Sequence, residues 1–145
     1  MLLIYEQRFR DALKGAGYKY TPERATLFRE IATINEPVSQ SDIARLVAHN
    51  MAETTVYRNI DIFEKIGVIV RVYTGWKFKL ELSEEYRDHH HHMTCTNCGT
   101  ITDFEESQEV ERELNRIGTK AGFIVKQHTL ELRGTCQNCQ KKNFA

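Results

Sequence analysis

Residues 53–82, ETTVYRNIDIFEKIGVIVRVYTGWKFKLEL, contain the change of pattern that decides the fold of the first half. Apolar residues first recur at the spacing of one helix face, and Gly67 stands where that helix should end. Residues 68–73 and 77–82 then predict two strands joined through Thr74-Gly75, because the second strand alternates apolar and charged side chains. A helix followed directly by a hairpin predicts the last helix and the wing of a winged helix-turn-helix domain.

Three further helices are predicted upstream of this stretch. The first is ended by Gly15 and Gly17. The second begins at Thr21-Pro22, a capping residue followed by proline at the first helical position, and its apolar face continues through Ile34 until Pro37 stops it. The third begins in residues 39–42, SQSD, which have the spacing of a capping box.

In this fold the helix before the hairpin enters the major groove of DNA. Hydroxyl groups near its N-terminus suit phosphates, because the free N–H groups of the helix also point there. Asn59 is predicted to lie on the same polar side of the helix. The predicted DNA-binding residues are Lys19, Thr54, Thr55, Tyr57 and Arg58. At this point a helical domain with a merely solvated polar face remains the alternative.

Composition excludes several classes of protein. The 145 residues carry 20 Lys+Arg and 20 Asp+Glu, so the net charge is zero and the chain is no polycation. No apolar run is long enough to cross a bilayer, and the N-terminus lacks the pattern of a signal peptide, so a cytoplasmic protein is expected. All four cysteines and five of the six histidines lie beyond the polar stretch 83–88, which predicts a linker between domains 1–84 and 85–145.

Two Cys-x-x-Cys pairs, Cys95/Cys98 and Cys136/Cys139, are the sharpest chemical signal in the chain. Two such pairs can close a tetrahedral shell of thiolates around zinc. Two disulfides are the alternative, which a reducing cytoplasm disfavours. A shell of four thiolates has no open position, so this zinc is predicted to be structural and not catalytic.

Four consecutive histidines occupy positions 89–92. Alternate residues of an extended segment point to opposite sides, so His89 and His91 are expected on one face and His90 and His92 on the other. This alternation allows two distinct metal sites. Their candidate carboxylate ligands are Glu81, Asp103 and Glu111.

A helix over 107–121 and a strand over 124–132 are predicted to complete the second half. The inward residues of the helix are predicted to be Val110, Leu114, Ile117 and Ala121. The inward residues of the strand are predicted to be Ile124, His128, Leu130 and Leu132. With four other histidines nearby, His128 is interpreted as a metal ligand, and a mixed imidazole and carboxylate set suits Fe(II), Mn(II), Zn(II) or Co(II).

These features in this order resemble the ferric uptake regulator family of metal-dependent bacterial repressors. The matching motifs are Thr21-Pro22-Glu23-Arg24, Thr54-Thr55-Val56-Tyr57-Arg58, the histidine run, Cys95-x-x-Cys98-Gly99 and Cys136-x-x-Cys139. The resemblance covers nearly the whole chain, from about residue 8 to residue 140. The resemblance implies an α+β protein, with a winged helix-turn-helix DNA-binding domain followed by a small α/β dimerisation domain that contains a structural Zn(II) site. It also implies a homodimer that binds a palindromic operator in double-stranded DNA.

The resemblance further implies three sets of metal ligands. The structural zinc is held by Cys95, Cys98, Cys136 and Cys139. The regulatory site at the hinge comprises Glu36, Glu81, His90, His92 and Asp103. An additional site comprises His89, His91, Glu111 and His128. Family members usually have histidine where Glu36 stands and often aspartate where His91 stands; because the linker is two residues longer than usual, Glu84 or Glu85 is the alternative to Glu81.

The function implied is a metal-responsive repressor that senses Fe(II), with Mn(II) or Zn(II) as alternatives. A peroxide-sensing repressor that works by metal-catalysed histidine oxidation is the alternative within the family. A small zinc hydrolase is the alternative from another class, but the sequence lacks H-E-x-x-H and the zinc deaminase signature. A zinc-ribbon adaptor would leave the helix carrying Arg58 unexplained. The expectation is therefore a DNA-binding protein that is not an enzyme, has no small-molecule substrate and does not bind a membrane.

Overall fold

The computed structural model describes residues 2–74, 77–126 and 128–143. The predicted turn residue Gly75, and Gln127 of the predicted strand 124–132, lie outside these residues. The chain divides into two compact units, the first ending at Asp88 and the second beginning at His89. The assignment of separate functions to domains 1–84 and 85–145 remains a prediction.

Four helices form most of the first unit: α1 (Leu2–Gly15), α2 (Pro22–Ile31), α3 (Gln40–Leu46) and α4 (Glu53–Lys65). The predicted caps explain where two of them begin. Thr21 Oγ1 accepts a hydrogen bond from the Arg24 N–H at 3.4 Å, and Ser39 and Asp42 exchange two hydrogen bonds of 3.2 Å in a capping box. Gly67, just beyond α4, has φ of +75°, a conformation that favours glycine.

The prediction that α2 continues to Pro37 is wrong, because the helix ends at Ile31. The hydroxyl of Thr33 donates to the carbonyl of Glu30 at 2.7 Å and closes a turn there. The chain then becomes extended and Val38 forms an isolated β-bridge with Leu80. This bridge requires the helix to end early, so a contact distant in sequence overrides the local apolar spacing.

The hairpin consists of β1 (Ile69–Thr74) and β2 (Lys77–Leu82), paired antiparallel with Ile69 opposite Leu82. Leu80 and Leu82 face the core as predicted. Glu81, predicted on the polar face, is buried with 8% of its surface exposed. Its carboxylate pairs with the Arg87 guanidinium at 2.6 Å, which explains how a charged residue is tolerated there.

Aromatic rings form the centre of the first unit. Phe9 stacks on Phe28 with ring centroids 4.4 Å apart and meets Phe63 edge-on at 4.9 Å. Tyr86 packs edge-on against Phe28 and is 3% exposed. The predicted linker 83–88 is therefore anchored to the first unit by its one aromatic side chain, since burial of a ring of this size is strongly favourable.

The second unit contains β3 (His91–Cys95), β4 (Ile101–Phe104), α5 (Gln108–Lys120), β5 (Glu131–Gly134) and α6 (Gln137–Asn143). The sheet order is β4-β3-β5, with β3 antiparallel to β4 and parallel to β5. Over the described residues of the whole chain, none of the helices is long and apolar enough to cross a membrane.

The prediction of a strand over 124–132 is wrong for most of its length, because β5 begins only at Glu131. The side chain of Ile124 is 90% exposed. Its backbone belongs to none of the three short strands of this sheet. The apolar face predicted for α5 is also largely exposed, including Val110 and Ile117. Both errors have one physical cause, since one sheet of this size leaves these apolar residues uncovered within a single chain.

Candidate metal centres and nucleic-acid interface

The four cysteines converge at one end of the second unit. Cys95 ends β3, and Cys98 follows in the turn before Gly99. Cys136 directly precedes α6, and Cys139 lies in its first turn. All four Sγ atoms lie within 4.8 Å of one another, and those of Cys98 and Cys136 are 3.7 Å apart. Four sulfurs bound tetrahedrally to zinc at ~2.3 Å would be roughly 3.8 Å apart. All four cysteines are free thiols, so the arrangement fits a zinc site and not two disulfides.

Neighbouring groups shift the pKa values of these thiols in both directions. The N–H of Cys136 donates to Cys95 Sγ at 3.3 Å and, with the N–H of Cys98, lowers the pKa of Cys95 to about 6. Thr100, whose Oγ1 lies 3.1 Å from Cys98 Sγ, lowers the pKa of Cys98. The neighbouring thiols of Cys98 and Cys136 raise the pKa of Cys139 to about 12. Crowded sulfur atoms of this kind are stabilised by a shared metal ion.

A second cluster contains His89, His91, His128 and a residue that sequence reasoning missed, Glu106. The Glu106 carboxylate lies 2.7 Å from His91 Nε2, 3.3 Å from His89 Nε2 and 3.8 Å from His128 Nε2. The Nε2 atoms of His91 and His128 are themselves 3.2 Å apart. Three imidazoles therefore surround one carboxylate whose side chain is 8% exposed.

Glu106 is well suited to be an anionic ligand. Its own backbone N–H is the main cause that holds the pKa of its carboxyl below the usual range, and Glu111 and the nearby histidines act in the same direction. Its position in the turn between β4 and α5 carries no periodicity. The only sequence signal is an acidic residue directly before the helix cap Ser107.

Glu111, the carboxylate predicted for this site, lies at its edge. Its Oε1 accepts a hydrogen bond from the Asn115 side chain at 3.1 Å, and its Oε2 lies 3.4 Å from His128 Nε2. That Oε2 atom is buried and has no hydrogen-bond partner among the described residues. A buried carboxylate oxygen beside an imidazole nitrogen is an arrangement that a bound cation would satisfy.

The residues predicted for the regulatory site are divided between the units. In the first unit Glu36 is exposed, and Glu81 is paired with Arg87, which also donates to the Asn35 carbonyl at 3.4 Å. In the second unit the rings of His90 and His92 are 4.9 Å apart, and His92 Nε2 lies 3.5 Å from an Asp103 carboxylate oxygen. The alternatives Glu84 and Glu85 are exposed. The complete regulatory site remains a prediction.

The predicted DNA-binding helix is α4. Thr54 and Arg58 are exposed, and Thr55 and Tyr57 are half-buried. The Tyr57 hydroxyl donates to the Glu53 carboxylate, which raises the pKa of Tyr57. The cap residue Ala52 makes no side-chain hydrogen bond to the helix, so no side chain of the cap competes for the N–H groups at this end.

Asn59 was predicted on the polar side of α4, and the structure corrects this. Asn59 is 6% exposed, and its Oδ1 accepts a hydrogen bond from Arg24 Nε at 3.0 Å. The side-chain amide of Asn59 therefore forms a hydrogen bond within the first unit and does not face the solvent. Lys19, in the segment before α2, is exposed.

Comparison with known proteins places these features in a family. Residues 15–133 match the ferric uptake regulator family. The chain is 32% identical to the ferric uptake regulation protein of Neisseria meningitidis serogroup A over 136 residues, covering 90% of this chain and 92% of that protein. It is 31% identical to the peroxide operon regulator of Bacillus subtilis over 140 residues, covering 91% of each.

The fold is shared with a solved structure of the Helicobacter pylori ferric uptake regulator. The TM-score is 0.79 at 24% identity, covering 97% of this chain and 94% of the other. This likeness confirms the predicted α+β fold.

Proposed function

Since this chain belongs to the ferric uptake regulator family of metal-responsive transcriptional repressors, we propose that it binds a palindromic operator as a homodimer when a divalent metal, in the first place Fe(II), occupies its regulatory site. The family consists of transcriptional regulators and not enzymes, so the zinc hydrolase alternative is abandoned. A regulator of this kind acts where the DNA is, in the cytoplasm.

The exposed polar face of α4 is the observation that carries the proposal. Arg58 and Thr54 are exposed on a helix that directly precedes the β1–β2 hairpin, which is the arrangement of a recognition helix and its wing. Arg58 can donate to a guanine edge or a phosphate, and Thr54 and Thr55 lie where phosphates are favoured. Lys19 supplies a separate cation from the segment before α2.

The cysteine cluster holds a structural Zn(II) in this proposal. Its support is the spacing of the sulfurs, the free state of all four thiols and the lowered pKa of Cys95. When bound, zinc cross-links the end of β3 to the start of α6 and so stabilises a unit with little apolar core.

The regulatory ligands are Glu36, Glu81, His90, His92 and Asp103. Two carboxylates precede the histidines in the chain, and Asp103 faces His92 within the second unit. Oxygen donors favour Fe(II) or Mn(II) over Zn(II) in relative terms, so Fe(II) is ranked first. The cluster of His89, His91, Glu106, Glu111 and His128 is proposed as the additional metal site.

A second copy of the chain covers the apolar surface of the second unit. Ile117, Phe123 and Ile124 are 55%, 71% and 90% exposed, which is unusual for neighbouring apolar side chains of a monomer. Closed twofold symmetry is the commonest way to bury such a patch, and it matches a palindromic operator. Light scattering of the purified protein tests this, and a monomer at micromolar concentration would contradict it.

Peroxide sensing is the second candidate. It is favoured by the Asp103–His92 pair at 3.5 Å and by the similarity to the Bacillus subtilis peroxide operon regulator. His90, whose ring lies beside His92, is the proposed site of oxidation.

One experiment separates these functions. The protein is purified without metal, loaded with Zn(II), and titrated with Fe(II) or Mn(II) while its binding to a DNA duplex selected in vitro is followed by anisotropy. Metal-dependent binding supports the proposed repressor. Loss of binding of the Fe(II) form, but not of the Mn(II) form, after peroxide treatment supports the second candidate.

A further inference from the structure

The side chain of Arg24 connects two parts of the first unit that both face DNA in the proposed function. Its Nε donates to Asn59 Oδ1 on α4 at 3.0 Å, and its Nη1 donates to the carbonyl oxygen of Lys19 at 2.5 Å. Its Cζ also lies 5.6 Å from the centre of the Tyr18 ring. One guanidinium is therefore held by the recognition helix on one side and by the segment before α2 on the other.

The partners of Arg24 stand directly beside the proposed DNA contacts. Asn59 follows Arg58 in α4, and the other acceptor is the main-chain carbonyl of Lys19 itself. Asn59 is 6% exposed, so its carbonyl oxygen depends on a protein donor, and Arg24 provides it. A guanidinium is planar and its N–H groups point in fixed directions, so it sets the spacing of its two acceptors more firmly than a lysine could.

We propose that Arg24 is a positioning residue for DNA recognition, which fixes the backbone at Lys19 relative to α4 so that Lys19 and Arg58 contact the same duplex together. Arg24 itself touches no DNA in this proposal. It rests on the proposed DNA contacts of Lys19 and Arg58. A purely structural role, in which Arg24 only packs α2 against α4, is the competing explanation.

Arg29 provides a matched control on the same helix. Its guanidinium pairs with the Glu6 carboxylate of α1 at 3.3 Å. Arg29→Gln therefore removes a guanidinium and an inter-helix contact from α2 while the link between residue 19 and Asn59 stays intact.

The test is a double-mutant cycle on DNA affinity. The probe is a duplex selected in vitro on the wild-type protein in the presence of Zn(II) and Mn(II), and binding is followed by anisotropy at several salt concentrations. In the wild-type background we expect Lys19→Ala and Arg58→Ala each to weaken binding by about tenfold. In the Arg24→Gln background, Lys19→Ala should have no further effect, whereas Arg58→Ala should keep its full effect.

Salt dependence gives a readout that helix packing alone would not change. Loss of one phosphate contact reduces the slope of log affinity against log salt by about 0.9. Arg24→Gln and Lys19→Ala should each make the salt dependence of affinity shallower by the same amount, and the double mutant should make it no shallower. Arg29→Gln should leave both the slope and the Lys19→Ala effect as in the wild type.

Arg24→Lys covers the case in which Arg24→Gln fails to fold. It keeps the positive charge and one donor group but cannot donate along two fixed directions, so it should reproduce the loss of the Lys19→Ala effect in a protein that still folds, as circular dichroism would show. Additive effects of Lys19→Ala and either Arg24 variant would overturn the positioning role. If Lys19→Ala and Arg58→Ala both leave wild-type affinity unchanged, the proposed DNA contacts fail instead.

Discussion

The carboxylate of Glu106 lies 2.7 Å from Nε2 of His91, the most deeply buried histidine of the run at 3% exposure. The family resemblance implies that relatives often carry aspartate where His91 stands. In this chain position 91 is a histidine, and the carboxylate beside it belongs to Glu106, fifteen positions later. The proposed additional site therefore combines three imidazole nitrogens with Glu106 and the edge carboxylate Glu111. A nitrogen-rich set of this kind shifts preference toward Zn(II) relative to a site with two histidines.

Glu106→Gln should weaken the additional metal site by at least about tenfold, because it removes the charge shared by three imidazoles. Isothermal titration of the zinc-loaded protein with further Zn(II) or Mn(II) measures this. Glu105→Gln is the matched control, since Glu105 is the adjacent acid and is exposed. Equal affinities for the two variants would remove Glu106 from the site.

Cys136→Ser should abolish the structural zinc and unfold or monomerise the second unit. Cys136 supplies one of four sulfurs, and its N–H also donates to Cys95 Sγ, while few apolar side chains in this unit are buried. Three thiolates hold zinc much less firmly than four. Metal analysis, circular dichroism and light scattering test the prediction, and a zinc-free variant that is dimeric and stably folded would contradict it.

Arg58→Ala should weaken operator binding by about 1–3 kcal/mol, with Tyr57→Phe smaller in effect. The Arg58 side chain is exposed, so the melting temperature should barely change. Lys65→Ala is the control, because Lys65 is an exposed cation at the far end of the same helix. Unaltered affinity of the Arg58 variant at constant salt would remove α4 from the groove.

How far the sequence predicts this molecule depends on how local each feature is. The start of α2, the capping box at Ser39 and the buried face of α4 follow from residues a few positions apart, and the structure shows all three. The end of α2 depends instead on the Val38–Leu80 bridge, which joins segments 42 residues apart. The apolar periodicity of a single helix cannot predict a pairing between residues so far apart in the sequence.

The candidate sites show the same division. The two Cys-x-x-Cys pairs predict the cysteine cluster, because the short spacing within each pair already places two thiols close together. Glu106 could not be found in this way, since a carboxylate in a turn has no pattern and its partners come from β3 and from His128. The exposure of Ile124 was not predicted, because alternating apolar residues indicate a buried face even where the described residues of the chain do not cover it.

Glu6→Gln should destabilise the first unit at neutral pH but not in acid. Hydrogen bonds from Tyr20 and Arg29 hold the pKa of the Glu6 carboxyl below its usual range. A lowered folded-state pKa contributes stability above the unfolded value and loses it as the pH falls through the folded value. Because Arg29 is half exposed, we expect about 0.5–1 kcal/mol at pH 7. Urea unfolding at several pH values measures this, with Glu30→Gln as control; a difference that persists undiminished in acid would contradict it.

Metal control should depend on His90 and His92, and the last prediction concerns their double substitution by alanine. A ligand can shift an equilibrium only by its differential affinity for the two states, and a tenfold change in operator affinity needs about 1.4 kcal/mol of such coupling. Because the two rings are neighbours 4.9 Å apart, either one alone could retain part of the site, so both are replaced. The variant should keep its structural zinc and fold but bind the operator equally with and without added Mn(II).

His49→Ala is the control for the loss of a histidine, since His49 is exposed and belongs to neither histidine cluster. It should show wild-type metal dependence. If His90→Ala/His92→Ala also shows wild-type dependence, the regulatory metal lies elsewhere, and the cluster around Glu106 becomes the first alternative to test. A gain of one oxygen atom at His90 after peroxide treatment of the Fe(II) form would instead rank peroxide sensing above iron sensing, because only iron held at that imidazole directs oxidation to it.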